Sequence, residues 1–448
     1  MARSRPLQFD LLLATLLAGI FMANVDTAIA NIAAPSIRAG LHASGGEIQF
    51  VVAGYILAYA MLLITGARLG AMHGYGRVFL AGAAVFTAAS LASGLAPNAI
   101  VLILARIVQG AGAALMVAQV LSGIQLNFSG KERATAIGSY AIALSVGAVA
   151  GQILGGLVLS ANLFGASWRP VFLINVPIGL TLIVAAVRFL PMSREGRAQP
   201  LDLRGVAMLS LAVLLAFVPL VLGRDQGWPL WTWICLVVSV PAIAVFIAIE
   251  RGIAARGGYP LVNLQVLARP AVSWGLVSSG ASLATYFGML FTLALYLQQG
   301  LGKTPLYSGL ALVSWVAAFG VSGPVLKRLP PARIPLCSAV GFLILAAAYL
   351  GIAVSLAANQ TSDPLLITLL GFGGLGLGLG RNSAVVYITN GVPDRYAADI
   401  SGLLNTNSQI FGAAGVAVFG TLYLGSPHET EEKSYAKPSA LPARRILT

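Results

Sequence analysis

Asp26 and Arg106 are the residues whose type and surroundings point most directly to chemistry, because each lies inside a long apolar run. An ionisable group is costly to hold in a bilayer interior and serves function when it is found there. Of the 14 acids, Asp26 alone lies well inside such a run; the others fall in loops, near run ends or in the polar C-terminal stretch. It stands about ten residues before the outer end of its run, roughly 15 Å deep at a helical rise of 1.5 Å per residue. Arg106 stands about seven residues into a run of opposite direction and reaches a similar depth, so the two can pair if their helices are neighbours. Apolar surroundings disfavour charge on Asp26 and a guanidinium favours it, so movement that separates the pair changes how the carboxyl holds a proton. A proton-coupled transporter needs such a switch. A fixed ion pair that only locks two helices is the other reading, and both stand at this point. Enzyme chemistry has no comparable candidates: His42, His73 and His428 are scattered, Cys235 and Cys337 lie in apolar stretches, and neither an acid pair nor a nucleophile with its base is evident. No enzyme, metal or organic cofactor is expected; on the switch reading, protons are the coupling ion.

Polar and aromatic residues within the apolar runs are candidates for a substrate cavity: Asn31, Tyr55, Gln109, Tyr286, Gln298, Trp315, Asn405 and Gln409. Asn24, Tyr59, Gln119, Gln152 and Asn407 are similarly placed, and many such groups simply bond neighbouring helices. One buried acid among apolar and aromatic neighbours suits an amphipathic or weakly cationic cargo better than a sugar or phosphate. Glycines carry a second signal. Gly147, Gly151 and Gly155 recur every fourth residue, with Gly138 before them and Gly156 beside the last. Small faces of this kind let helices approach closely, and a long stripe suits helices that slide or rock. The run GFGGLGLGLGRN predicts a deformable helix, and Arg381 within it is expected to snorkel to the inner surface, contact with substrate being the alternative.

The elements that must position these groups follow from composition. Hydrophobic residues make up 58% of the 448 and charged ones 9%, with mean hydropathy +0.87. Ordinary globular chains carry about 25% charge, so an integral membrane protein is indicated. Thirteen spans of bilayer length fall at about 9–36, 48–69, 78–97, 99–126, 134–160, 170–190, 205–223, 229–249, 271–298, 306–326, 334–357, 364–390 and 400–424. The first is too long for a cleavable signal and is expected to be retained. With a cytoplasmic N-terminus, seventeen Lys and Arg fall in inside segments, against Arg38, Arg169, Arg224 and Lys303 in the opposite loops. That bias sets the orientation and accounts for most of the +13 net charge, so a nucleic-acid partner is not expected. The inside loop at 191–204 is the natural joint between two halves. The short basic loops ending at Arg77 and Arg333 echo one another weakly, as repeats of a two-bundle transporter would.

The ordered motifs add a resemblance. VDTAIANIAAP, with Asp26, Thr27, Asn31 and Pro35, resembles the first-helix signature of the fourteen-helix drug:proton antiporters of the major facilitator superfamily. ARIVQGAGAA, with Arg106, Gln109, Gly110 and Gly112, resembles the superfamily's proton-transfer motif, and the glycines from Gly138 to Gly156 its antiporter motif. Trp168-Arg169 through Asn175 and Pro177 resembles the lead-in to helix six, and LDLRGV from Leu201 the lead-in to helix seven. YLQQGLGKTPLYSG and SGLLNTNSQIFGAAGVAVFG extend the likeness to nearly the whole chain. The loop RLGAMHGYGR keeps Gly70, Gly74 and Arg77 as gating positions, but has Ala71 for the usual aspartate and Gly76 for a frequent basic residue. Gln152 stands where the antiporter motif usually has proline, which leaves the expected bend open.

The resemblance implies an all-α polytopic membrane protein with the major facilitator fold, six plus two plus five helices being visible where the family has six plus two plus six. Residues 1–190 would form an N-terminal six-helix bundle, 191–250 an inside loop and two linker helices, 251–425 a C-terminal bundle of five, and 426–448 a polar tail. No counterpart of the fourteenth helix follows, and a truncated or altered end is expected. The implied activity is proton-coupled export of amphipathic small molecules, such as drugs or antibiotics, by alternating access. Asp26 and Arg106 would be the coupling residues, in a monomer of the bacterial plasma membrane with a cytoplasmic N-terminus. A facilitator or importer that uses no proton, or a transport-inactive receptor or channel on the same fold, remains the alternative.

Overall fold

A backbone in lipid must satisfy its own hydrogen bonds, which leaves a chain of this composition the helix as its spanning element. The computed structural model describes residues 7–192, 202–258, 260–330, 333–358, 362–390, 392–393 and 397–425, and is helical almost throughout. The helices are α1 Leu7–Leu41, α2 Gly45–His73, α3 Tyr75–Gly94, α4 Ala99–Asn127, α5 Gly130–Ala161, α6 Pro170–Leu173 and α7 Asn175–Phe189. They continue with α8 Leu203–Leu222, α9 Leu230–Ala255, α10 Leu264–Leu267, α11 Pro270–Leu295, α12 Pro305–Lys327, α13 Ile334–Ala357, α14 Asp363–Asn390 and α15 Ala397–Tyr423. The middle of the inside loop and the tail at 426–448 lie outside the described residues.

Among the described residues, twelve helices are long and apolar enough to cross a membrane, α6 and α7 together supplying one span. The thirteenth expected span is α15, which carries the polar run from Asn405 to Gln409 and is not among these twelve. Local signals set the helix starts. Ser44 and Glu47 form a reciprocal capping box on α2, Asn98 accepts from Val101 N on α4, and Thr304 accepts from Tyr307 N on α12. Gly74, at φ 92°, makes the tight turn between α2 and α3 that a side chain would strain.

Packing divides the apolar surface in two. Side chains such as Phe79, Phe86, Phe172 and Phe291 are fully buried, whereas Val184, Leu230, Trp274 and Leu343 are largely exposed, as lipid-facing residues would be. Helix α4 packs on α2 and α3, α1 on α5, and α3 on α7. Helix α14 packs on α12 and α13, and α11 on α15. The two sets meet where α5 lies on α12, α2 on α15 and α1 on α11, and the α8–α9 hairpin rests beside the seam between α2 and α15.

Candidate functional site

A closed polar knot lies where α1, α2, α3, α4 and α7 converge. Asp26 is fully buried, and its Oδ2 accepts from Arg106 Nη1 at 2.5 Å. Its Oδ1 accepts from Gln109 Nε2 and from Asn175 Nδ2, both at 2.8 Å. Arg106 also donates from Nε to Val51 O at 3.1 Å and from Nη1 to Gln109 Oε1 at 2.7 Å. Its guanidinium lies 4.3 Å from the centre of the Tyr55 ring and 5.4 Å from that of Phe172. Gln109 Nε2 reaches a further acceptor, Ser90 Oγ, at 2.7 Å. A carboxylate out of water needs donors on both oxygens, and this one has them from two helices. The pairing expected from depth is therefore present. The sequence does not mark Asn175 and Ser90 as partners of the acid: one is a polar residue at the start of an apolar run and the other a serine within another.

The glycine stripe faces the helix that carries Asp26. A Cβ on Gly151 would lie 2.6 Å from Ala28 Cβ and 2.7 Å from Val25 O. One on Gly147 would lie 3.1 Å from Asn24 Cβ, and one on Gly155 would lie 3.2 Å from Ile32 Cβ. Gly156 turns to the other set of helices, 2.8 Å from Leu306 Cα on the same measure, whereas Gly138 has nothing within 4 Å. Gln152 is fully buried between these contacts, and neither atom of its amide has a partner. Helix α5 runs unbroken through it, so the bend left open by the missing proline divides no helix here.

The eight cavity candidates separate into two groups. Asn31, Tyr55, Gln109 and Trp315 are buried and line no open space in this conformation. Trp315 fills the contact with α14 beside Gly373 and Gly374 and stacks on Tyr349 with ring centres 5.7 Å apart, which corrects its expected place on a cavity wall. Tyr286, Gln298 and Gln409 are half-buried and Asn405 is exposed. Gln298 Nε2 donates to Ile32 O at 3.0 Å, joining the two sets of helices. Arg381 corrects another expectation. It is half-buried and donates to Ser408 Oγ of α15 at 3.1 Å, so it turns across the helices and does not snorkel.

At the α2–α3 turn, Gly70 makes room for the Gln119 amide of α4, Gly76 for the carbonyl of Pro191, and Ala71 and Arg77 are exposed. Further hydrogen bonds between the sets lie at one end of the molecule. Thr421 Oγ1 donates to Gln49 Oε1 at 3.3 Å and Leu306 N to Ser160 Oγ at 3.1 Å. The tip of the α8–α9 hairpin clamps the same end: Asp225 Oδ2 accepts from Gly46 N at 2.7 Å, and Arg224 Nη2 donates to Gly425 O at 2.6 Å.

The Major Facilitator Superfamily profile matches residues 16–416. The chain is 35% identical over 419 residues to a probable actinorhodin transporter of Streptomyces coelicolor, covering 92% of this chain and 72% of that one. It is 34% identical over 432 residues to the cephamycin export protein CmcT of Amycolatopsis lactamdurans, covering 91% and 85%. It is also 34% identical over 419 residues to a lincomycin resistance protein of Streptomyces lincolnensis, covering 90% and 82%. Among solved structures, a bacterial homologue of the human lysosomal transporter Spinster, in an inward-facing and occupied conformation, aligns with TM-score 0.66 and 18% identity, covering 96% and 85%. The inward-open xylose transporter XylE of E. coli aligns with TM-score 0.62 and 13% identity, covering 94% and 90%.

Proposed function

The chain belongs to the Major Facilitator Superfamily, a family of membrane transporters and not of enzymes, and we propose that it exports amphipathic small molecules in exchange for protons. The relatives named as an antibiotic transporter, an export protein and a resistance protein support export of drug-like compounds. The observation that carries proton coupling is the Asp26 knot: a fully buried carboxylate held by donors from α4 and α7, in helices that pack on a glycine-lined neighbour. Relative motion of α1 against α4 or α7 removes donors from the acid, and a carboxylate that loses donors in a dry site takes up a proton. Protonation removes the reason for Arg106 to stay paired, so the two events reinforce each other.

On this reading α1–α7 form one bundle, α8 and α9 link it to the second, and the N-terminus is cytoplasmic in a bacterial plasma membrane. The positive-inside bias then puts the sealed end of the molecule outside, and the conformation is inward-facing. Substrate enters from the inner side toward Tyr286, Arg381 and Gln409. The test is transport of lipophilic cations and antibiotics into proteoliposomes under an imposed pH gradient, with wild type and Asp26→Asn side by side. Gradient-driven flux in the wild type that is lost in Asp26→Asn is expected. Equal gradient dependence in both would sink the coupling role, and saturable flux indifferent to the gradient would make the protein a facilitator.

A further inference from the structure

Three acids are buried among the described residues, and the knot uses only Asp26; the others are Asp202 and Glu250. They meet at the base of the α8–α9 hairpin, where Asp202 precedes the first turn of α8 and Glu250 stands in the last turns of α9. Each has one oxygen with a donor. Asp202 Oδ1 accepts from Gly205 N at 2.8 Å, and Glu250 Oε2 accepts from Val262 N at 2.9 Å. The other two oxygens, Asp202 Oδ2 and Glu250 Oε1, are buried with no donor. Both lie against the place that a Cβ on Gly205 would take, so they share one small space, which explains why the LDLRGV run carries glycine there.

Two acceptor-only oxygens cannot satisfy each other, and two ionised carboxylates side by side out of water repel. One proton solves both problems, since a carboxyl donates where a carboxylate accepts. Arg68 of α2 supplies the remaining positive charge: its Nη2 donates to Pro260 O at 2.7 Å, and its charge feels both acids. Arg204, Arg251 and Arg256, the other basic groups on these elements, are exposed. A metal ion fits less well, because the described residues hold no group of three or more His, Cys, Asp or Glu side chains able to bind one. With one proton and Arg68, two carboxyls make a neutral cluster, as a buried site requires.

We propose that Asp202 and Glu250 form a second proton-binding site, a carboxyl–carboxylate bridge in which one proton is held between Asp202 Oδ2 and Glu250 Oε1. The proton belongs to the pair and not to either residue. Its effect is mechanical as well as electrostatic, because the bridge joins the start of α8 to the end of α9, and through Val262 and Pro260 to Arg68 on α2. It does not depend on the export reading and holds whatever the cargo.

Infrared spectroscopy of the purified protein in lipid nanodiscs at neutral pH, in light and heavy water, tests it. Protein carrying Asp26→Asn should keep a protonated-carboxyl band that shifts on deuteration. Adding Glu250→Gln or Asp202→Asn, each of which puts an amide N–H in the proton's place, should abolish that band while the protein stays monodisperse. A band that survives both amide substitutions overturns the proposal. If the amide variants do not fold, the Asp26→Asn protein decides alone: band present supports the bridge, and band absent overturns it.

Discussion

Asp26 is held by Arg106, Gln109 and Asn175, so its hydrogen bonds depend on two helices keeping their positions relative to α1. Asn175 is the informative partner because it is the contribution of α7, and a hydrogen bond to a charged group is worth about 1.5–3 kcal/mol. Asn175→Ala should lower gradient-driven flux roughly tenfold, as ~1.4 kcal/mol would, and shift its pH profile while leaving substrate affinity near that of the wild type. Flux measured across a pH series checks this, and an unmoved profile would mean that Asn175 only packs. The Asp26–Arg106 pair was legible in the sequence because two isolated charges at equal depth have few other partners. Asn175 was not, since an asparagine at a helix start has many possible uses and only convergence in space selects one.

Helix α5 separates glycines that are needed from one that is not. A Cβ on Gly151 meets α1 at 2.6 Å, closer than side chains pack, whereas Gly138 faces open space. Gly151→Ala should destabilise the protein by about 1–3 kcal/mol and slow transport, as overpacking does, while Gly138→Ala should stay within about 0.5 kcal/mol, as open surface sites do. Thermal melts in detergent and proteoliposome flux, taken on both variants, compare the two. Gln152 on the same helix has an amide with no partner, and an unsatisfied buried group costs about 1–3 kcal/mol. Gln152→Met, which keeps the volume, should raise the melting temperature and slow cycling by favouring the closed seam; a lower melting temperature would show that the amide finds a partner in the membrane. The glycines of α14 mark a different use. They fit around Trp315, Phe319 and Phe342 of neighbouring helices, so a run that reads as deformable forms a continuous, closely packed helix.

At the scale of the molecule, two sets of helices are joined at one end by Gln49–Thr421, Ser160–Leu306 and Ile32–Gln298 and clamped there by Arg224 and Asp225. On the proposed export by alternating access, this end must open. With Cys235 and Cys337 removed, Gln49→Cys and Thr421→Cys joined by a cleavable thiol cross-linker should stop transport, and cleavage should restore it. Flux that continues through the cross-link would rule out opening at this seam. The membrane class, the orientation bias and the depth of the one deep acid are all set along the chain, because hydropathy and charge are properties of consecutive residues that a bilayer reads one helix at a time. Which helices become neighbours is decided by shape and by the satisfaction of buried polar groups. Only the folded chain could therefore bring Asn175 to Asp26, turn Arg381 toward Ser408, close Trp315 into a contact, and bring Asp202 and Glu250, 48 residues apart by their numbers, to one shared space.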